Sequence, residues 1–302
     1  MSHAAVLLGA LLLDALLGEP RWLWSRLPHP AVLMGRAIDL ADRRFNRGGM
    51  RRAKGALLLA LGAAGALAAG RVIGALGWPA EMIVAAILLA QRSLADHVGA
   101  VASALSRGLP EGRRAVSMIV GRETSTLNEA GVSRAAIESG AENLADGVIA
   151  PALWFALGGL PGMLLYKLVN TADSMIGHLT PRHARFGWAA ARLDDVMNWP
   201  AARLTALLIA VSHGRPGLWP AIRREAPRHR SPNAGWPEAA MAHVLDVALS
   251  GPRTYGGELR DEPFVHPSGR RDPGRGEITR SVAALWRSWA LFALAVTLVS
   301  FA

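Results

Sequence analysis

Two runs govern what this chain can fold into. Residues 55–76, GALLLALGAAGALAAGRVIGAL, carry one charge, Arg71, and residues 283–302 carry only Arg287. A helix of roughly 20 residues crosses the ~30 Å hydrocarbon core of a bilayer. Inside that core every backbone N–H and C=O needs a partner within the protein, which leaves helices as the natural solution for such runs. Four further apolar segments cover 4–17, 80–90, 148–169 and 204–211. The first and second of these span only if extended into polar flanks, and 204–211 is too short to span unaided. It is expected as a buried or surface-lying helix. The expected fold class is all-α: a polytopic integral membrane protein with about four to five transmembrane helices, a re-entrant helical hairpin and cytoplasmic helical loops.

Composition agrees. The chain has 302 residues, 51% of them hydrophobic and 19% charged, with a mean hydropathy of +0.24. That is too apolar for an ordinary soluble enzyme. Net charge is +10, from 33 Lys and Arg against 23 Asp and Glu. The arginines border the apolar runs, which is the positive-inside pattern of membrane proteins rather than a nucleic-acid surface. Anionic substrates and lipid headgroups are further partners for such charge. Without cysteine there is no disulfide, thiolate metal site or cysteine nucleophile. The run 4–17 has no basic residues before it and no small-residue cleavage site after it, so it is expected as a retained anchor.

The basic residues cluster in 18–54, 91–146 and 212–282, which are therefore expected on the cytoplasmic side, with both termini outside. Trp22, Trp24, Trp78, Trp286 and Trp289 fit interfacial belts. The chain is read as a single membrane-embedded domain over 1–302. It comprises N-terminal transmembrane helices (1–90), a catalytic core (91–212), a cytoplasmic loop (213–282) and a C-terminal transmembrane helix (283–302). A simple span at 148–169 would export the arginines and aspartates of 170–203. Gly158-Gly159-Leu160-Pro161-Gly162 interrupts that run at its centre. The expectation is a re-entrant hairpin whose arms both point to the cytoplasm, with a single kinked span as the plainer alternative. Gly70-x-x-x-Gly74 suits close helix approach.

Several polar groups stand out. Thr126-Leu127-Asn128-Glu129 has the form of a capping box. Glu138, Glu142 and Asp146 recur every four residues and share a helical face. Hard oxygen ligands of this kind suit Mg²⁺, which keeps several waters and bridges to phosphates; a solvated helix face is the plainer alternative. After the hairpin, Thr171, Ser174 and His178 share a face beside Asn170 and Asp173. If the hairpin forms, the two polar sets meet at its mouth. Lys167 lies one turn inside, able to contact phosphate or to snorkel. Arg182, Arg185, Arg192, Asp194, Asp195, Asn198 and Arg203 form a mixed-charge segment, whether an ion-pair surface or part of a site. Ser231-Pro232-Asn233 leads through Pro237 and Glu238 into a helix start, where an anion can sit. Tyr255-Gly256-Gly257 permits close backbone approach. There is no P-loop, dinucleotide fingerprint, H-E-x-x-H or G-x-S-x-G. The long spans carry almost no charge, which argues against an ion-coupled transporter.

Three motifs are specific: E-x-x-AEN-x-x-DG from Glu138, NT-x-DSMIGH from Asn170 and FG-x-x-AAR-x-DD-x-x-N from Phe186. With LLLDALLGEPRWLW near the start, SPNAGWPEAAMA and YGG, they resemble the integral-membrane adenosylcobinamide-phosphate synthase (CobD/CbiB) family of cobalamin biosynthesis over most of the chain. Glu123, Glu19 and the placement of Pro200 depart modestly from the family's pattern. The resemblance implies an amide ligase that joins (R)-1-amino-2-propanol, or its O-phosphate, to the propionate carboxylate of adenosylcobyric acid. It would act at the cytoplasmic face of the bacterial inner membrane, with Mg²⁺ and ATP, with corrinoid as substrate and no nucleic acid, and with room for a homo-oligomer. On this reading Glu138, Glu142, Asp173, Asp194 and Asp195 are catalytic, and Glu138, Glu142, Asp146 and Asp173 hold metal. Lys167, Arg182 and Arg185 meet phosphates, while Asn170, Thr171, Ser174, His178 and Asn198 orient substrate. Ser231, Asn233, Glu238, Tyr255 and Gly256 contact the corrinoid periphery. A non-enzymatic accessory protein and a corrinoid transporter are the alternatives.

Overall fold

The computed structural model describes residues 1–255, 258–260 and 262–301. Among the described residues, four helical stretches are long and apolar enough to cross a membrane: Arg51–Gly74, Trp78–Leu105, Glu129–Ile176 and Arg275–Ser300. This agrees with the expected all-α polytopic class. The chain packs as two compact units, each assembled from separate stretches of sequence.

The first unit comprises Met1–Ala90, Ala150–Pro200 and Ala295–Ala302. Its helices are α1 (His3–Leu17), α2 (Arg21–Trp24), α3 (Pro30–Phe45), α4 (Arg51–Gly74), α5 (Trp78–Leu88), α9 (Ala150–Ile176) and the start of α10 (Trp188–Ser212). Pro30 opens α3 where a missing N–H costs nothing, and the His29 ring accepts from the Ala31 N–H at 3.2 Å. α4 packs chiefly on α9. The contact is close because a Cβ on Gly70 would lie 2.5 Å from Cα of Pro161, so Gly70 meets the sequence expectation of close approach. The other face of α4 exposes Leu57, Leu61 and Val72, as a lipid-facing helix would.

The break expected at 158–162 is present. Gly159 has φ 60° and ψ −159° inside α9, a conformation essentially confined to glycine. The chain turns sharply there. A Cβ on Gly162 would lie 2.5 Å from the carbonyl oxygen of Trp154. Eight residues of uninterrupted helix would separate such atoms by many ångströms of rise. Leu160, Met163 and Leu164 are buried beyond the turn, so protein covers the irregular backbone.

The second unit comprises Gln91–Ile149 and Ala201–Leu294. It holds α6 (Gln91–Leu105), α7 (Leu109–Ser117), α8 (Glu129–Leu144), a π-helical turn over Ala145–Ile149, the end of α10, α11 (Trp219–Glu225), α12 (Gly235–Leu245) and most of α13 (Arg275–Ser300). Asn128, not Thr126, caps α8: its side chain accepts from the Gly131 N–H at 2.8 Å. The capping-box reading is thus corrected by two residues. The segment 204–211 is the end of the 25-residue α10 rather than a separate helix. Ala206, Leu208, Ile209 and Ala210 are buried, the first of the two placements expected for this stretch, while Leu207 and Val211 are exposed. Two small antiparallel ribbons interrupt the helical pattern: β1 (Leu249–Ser250) pairs β4 (Phe264–Val265), and β2 (Arg253–Tyr255) pairs β3 (Glu258–Arg260). Sequence reading missed them because each strand is only two or three residues long, too short for a period-two pattern.

Candidate functional site

The richest polar arrangement in the first unit lies where the end of α9 faces the start of α10. Tyr166, Asn170 and Asp173 recur at i, i+4 and i+7 on α9, while Asp194 and Asn198 recur at i and i+4 on α10, so each set shares a face. The two faces are joined by hydrogen bonds. The Tyr166 hydroxyl donates to Asn198 Oδ1 at 2.8 Å, Asn198 Nδ2 donates to Asp194 Oδ2 at 3.0 Å, and Asn170 Nδ2 donates to Asp194 Oδ1 at 3.2 Å. Asp194 is 8% exposed. Burial first, and the negative charge of Asp173 second, push its carboxyl up to about 6, although the two amides stabilise the anion. Asp195 beside it is raised less, by burial against the opposing Arg192, whose Nη1 lies 3.5 Å away. The arrangement is a pair of carboxylates that resist simultaneous ionisation, one held by two amide donors. Such a pair binds a cation or takes a proton near neutral pH. Gly177 is required beside it, since a side chain there would overlap the Asp173 carboxylate.

The other expected residues of this stretch are placed as follows. Thr171 and Ser174 donate their hydroxyls to the carbonyls of Lys167 and Asn170 at 2.6 and 2.9 Å, within their own helix. Lys167 is half-buried, whereas His178 and Arg185 are exposed. Arg182 reaches back to α3, where its Nε donates to Asp42 Oδ2 at 3.0 Å.

The acidic stripe of α8 belongs to the second unit and is not uniform. Glu138 is buried, and both its oxygens are engaged. Oε2 accepts from Arg122 Nη2 at 3.0 Å and Oε1 from the Ser250 N–H at 2.7 Å. A metal at Glu138 would have to displace one of these donors. Glu142 is exposed and Asp146 half-buried in the π-helical turn. Among the described residues, no group of three or more His, Asp or Glu side chains stands close enough to hold a metal ion. Ser231 Oγ accepts from the backbone N–H groups of Asn233 and Ala234 at 3.2 Å, making the turn before α12. Asn233 Oδ1 accepts from Arg203 Nη1 at 3.4 Å. Glu238 is buried beside His229, at 3.6 Å. Tyr255 lies on β2, and Gly256 and Gly257 lie outside the described residues.

Sequence reasoning missed Tyr166 and a polar cavity of about 560 Å³ between α3 and the turn after α9. Asp39, Asp42, Arg43 and Asn46 line it from α3. Their spacing of i, i+3, i+4 and i+7 is the signal that was available. From the turn, Arg182 and His183 close it. Asp42 is buried, which alone would raise its pKa. Hydrogen bonds from Arg182 and Asn46, with the charges of Arg182 and His183, outweigh that and hold it below the usual carboxylate range.

Fold and site together define a multi-pass helical membrane protein with a carboxylate pair of which one member, Asp194, is buried and held by two amides. The CobD/CbiB family model, described as "CobD/Cbib protein", matches residues 7–285. The chain belongs to that family. It is 50% identical to the cobalamin biosynthesis protein CobD of Sinorhizobium fredii, over 96% of this chain and 94% of that one. It is 49% identical to CobD of Brucella suis biovar 1 over 93% and 92% of the two chains, and 45% identical to CobD of Rhodobacter capsulatus over 99% and 98%. No solved structure matches the chain.

Proposed function

We propose that the protein is an amide-forming ligase of cobalamin biosynthesis, joining (R)-1-amino-2-propanol or its O-phosphate to the propionate carboxylate of adenosylcobyric acid. Family membership supports the pathway. The single structural observation that supports the chemistry is the Asp173–Asp194 pair, in which the carboxyl of Asp194 is pushed up to about 6. An amine enters as an ammonium ion and must lose its proton before it attacks. A carboxylate pair attracts the cation, and the member with the raised pKa is the better proton acceptor. Asp194 takes the ammonium proton before attack; as the C–N bond forms, the activated carboxyl loses its phosphate with the C–O electron pair, and the second N–H proton leaves on that phosphate. Asn170 and Asn198 hold its two oxygens in place, while Asp195 and Arg192 border the pair.

Bound ATP would supply the acyl phosphate that activates the carboxyl, and Mg²⁺ would offset the charge of its phosphates. Two neighbouring carboxylates fit a Mg²⁺ ion that arrives with phosphate and water ligands, not one held in an all-protein cage. Glu142 and Asp146 form a second acidic set on the same reading, and Lys167 and Arg182 meet phosphate. The reaction is placed at the cytoplasmic face, with the turn at Gly159 re-entering the membrane. The test is the mass of the corrinoid after purified protein in detergent meets adenosylcobyric acid, Mg-ATP and each amine. A gain equal to the amine less water is expected; a corrinoid of unchanged mass with both amines refutes the ligase.

A further inference from the structure

Residues 43–54, RRFNRGGMRRAK, hold six basic side chains and no acid. They make the end of α3, the start of α4 and the loop between them. Some of this charge is engaged. Arg43 pairs with Asp39 at 2.9 Å, Arg52 stacks on the Trp188 ring at 3.6 Å, and Lys54 Nζ donates to the Arg47 carbonyl at 3.0 Å. Arg44 and Arg51 have no acidic partner among the described residues. Beside this loop, α3 and α4 leave an apolar groove of about 250 Å³, lined throughout by Gly, Ala, Leu, Ile and Phe. Its floor is the buried cluster of Ile38, Ala172, Ile176, Phe186 and Ala190. Ala37, Ala41, Gly55 and Gly62 keep it open, because larger side chains at these places would fill it. Ala37 and Leu61 in the lining are exposed, so the groove opens on the protein surface.

Helical spacing ties the groove to the free arginines. Arg51, Gly55, Leu58 and Gly62 recur at i, i+4, i+7 and i+11 on α4, and Ala37, Ala41 and Arg44 at i, i+4 and i+7 on α3. Each lining face therefore ends in an unpaired guanidinium. α4 is long and apolar enough to cross a membrane, which sets its basic start at the level of the headgroups. From Arg51 the groove follows about 16 Å of helix towards Gly62. We propose that this groove holds one acyl chain of an anionic phospholipid, whose phosphate meets Arg44 and Arg51. A guanidinium fork matches the oxygens of a phosphate. Lipid tails are as apolar as leucine, so the chain gains little by leaving the bilayer; charge selects the lipid. A second copy of the protein fits worse, since a two-fold contact about the membrane normal sets one basic loop against another. The site is independent of the ligase reading, as none of the groups assigned to that reaction lines it.

The test uses the full chain in detergent with equal amounts of dioleoylphosphatidylglycerol and dioleoylphosphatidylcholine, and reads bound lipid by native mass spectrometry. One phosphatidylglycerol per chain is expected, retained at least about tenfold over phosphatidylcholine, the order expected of two basic side chains at a headgroup. Arg44→Gln combined with Arg51→Gln should bring the two lipids close to parity. Ala37→Trp adds bulk at an exposed position and keeps the charge, and it should lose phosphatidylglycerol. A second measurement needs no variant. Phosphatidylglycerol with a diazirine in mid-chain, in phosphatidylcholine nanodiscs, should label the tryptic peptide 55–71 of the wild-type chain. Unlabelled phosphatidylglycerol should compete, and phosphatidylcholine should not. Equal retention of the two lipids, or a preference that survives the double arginine substitution, overturns the headgroup contact and the proposal with it. Phosphatidylglycerol retained by Ala37→Trp, or label absent from 55–71, leaves only attraction to the surface and overturns the groove. A dimer that Ala37→Trp dissociates, with no lipid retained, gives the groove to a second copy and overturns it equally.

Discussion

Replacing Asp194 with asparagine should stabilise the protein while abolishing its proposed reaction, and the gain should depend on pH in a defined way. The folded carboxyl titrates at about 6 against an ordinary value of 3.8. A raised folded pKa means that the protonated form fits the fold better than the anion. The group is therefore neutral and without cost well below 3.8. Its cost appears as the pH rises past that value and is complete once the folded group ionises above about 6. A shift of about two units at ~1.36 kcal/mol per unit is roughly 3 kcal/mol. At pH 4.5 about 1 kcal/mol of it is already present, so the stability gap between Asp194→Asn and wild type should widen by about 2 kcal/mol from pH 4.5 to 7.5. The amide offers one acceptor where the carboxylate offers two, so one of Asn170 or Asn198 loses a bond worth about 1 kcal/mol. That loss shifts the whole curve and leaves its slope intact. At roughly 2 °C per kcal/mol, the difference in thermal midpoint should grow by about 4 °C across the range. Midpoints measured in detergent at 0.5-unit steps, roughly spaced to resolve a single titration, give the curve. Parallel wild-type and Asp194→Asn curves would show that Asp194 does not titrate in this window, and the proton-acceptor role would fall with it.

Asp173→Asn and Glu142→Gln are expected to abolish product, read as corrinoid mass, without lowering expression; near-normal turnover in both refutes the acidic-site reading. Arg122→Ala should destabilise by about 3–5 kcal/mol, since it strands the buried Glu138 carboxylate, and its midpoint should fall accordingly. Glu138→Gln should lose less, because the Ser250 N–H keeps an acceptor. Gly159→Ala should cost about 1–3 kcal/mol, as only glycine adopts that backbone freely; an unchanged midpoint would mean that the turn is not as drawn.

The sequence makes the helical class legible because backbone satisfaction in lipid leaves so few options, and the glycine-proline cluster at 158–162 marks the turn correctly. Asn170, Asp173, Asp194 and Asn198 were legible by spacing and by family motif. Tyr166 was not, because it sits in an apolar run and only the three-dimensional path of α9 past α10 gives its hydroxyl a partner. The cavity beside α3 was hidden for a different reason. Its acids lie in a basic stretch that topology rules already explain, and the pairing of Asp42 with Arg182 joins residues 140 apart. The even stripe of Glu138, Glu142 and Asp146 looked uniform because spacing reports direction and not depth. The differing burial of the three residues is set by neighbours distant in sequence, Arg122 and Ser250 among them.

The bond from Tyr166 to Asn198 has an effect beyond its own strength. A side-chain amide has two ends of opposite character and, left alone, is free to rotate by half a turn. The phenol claims the oxygen end, so the nitrogen end must face Asp194. A group with no charge, one residue outside the acidic pair, thereby dictates which way the dipole beside the carboxylate points. Polarity beside the Asp194 carboxylate is thus inherited from a fully buried phenol ring on α9.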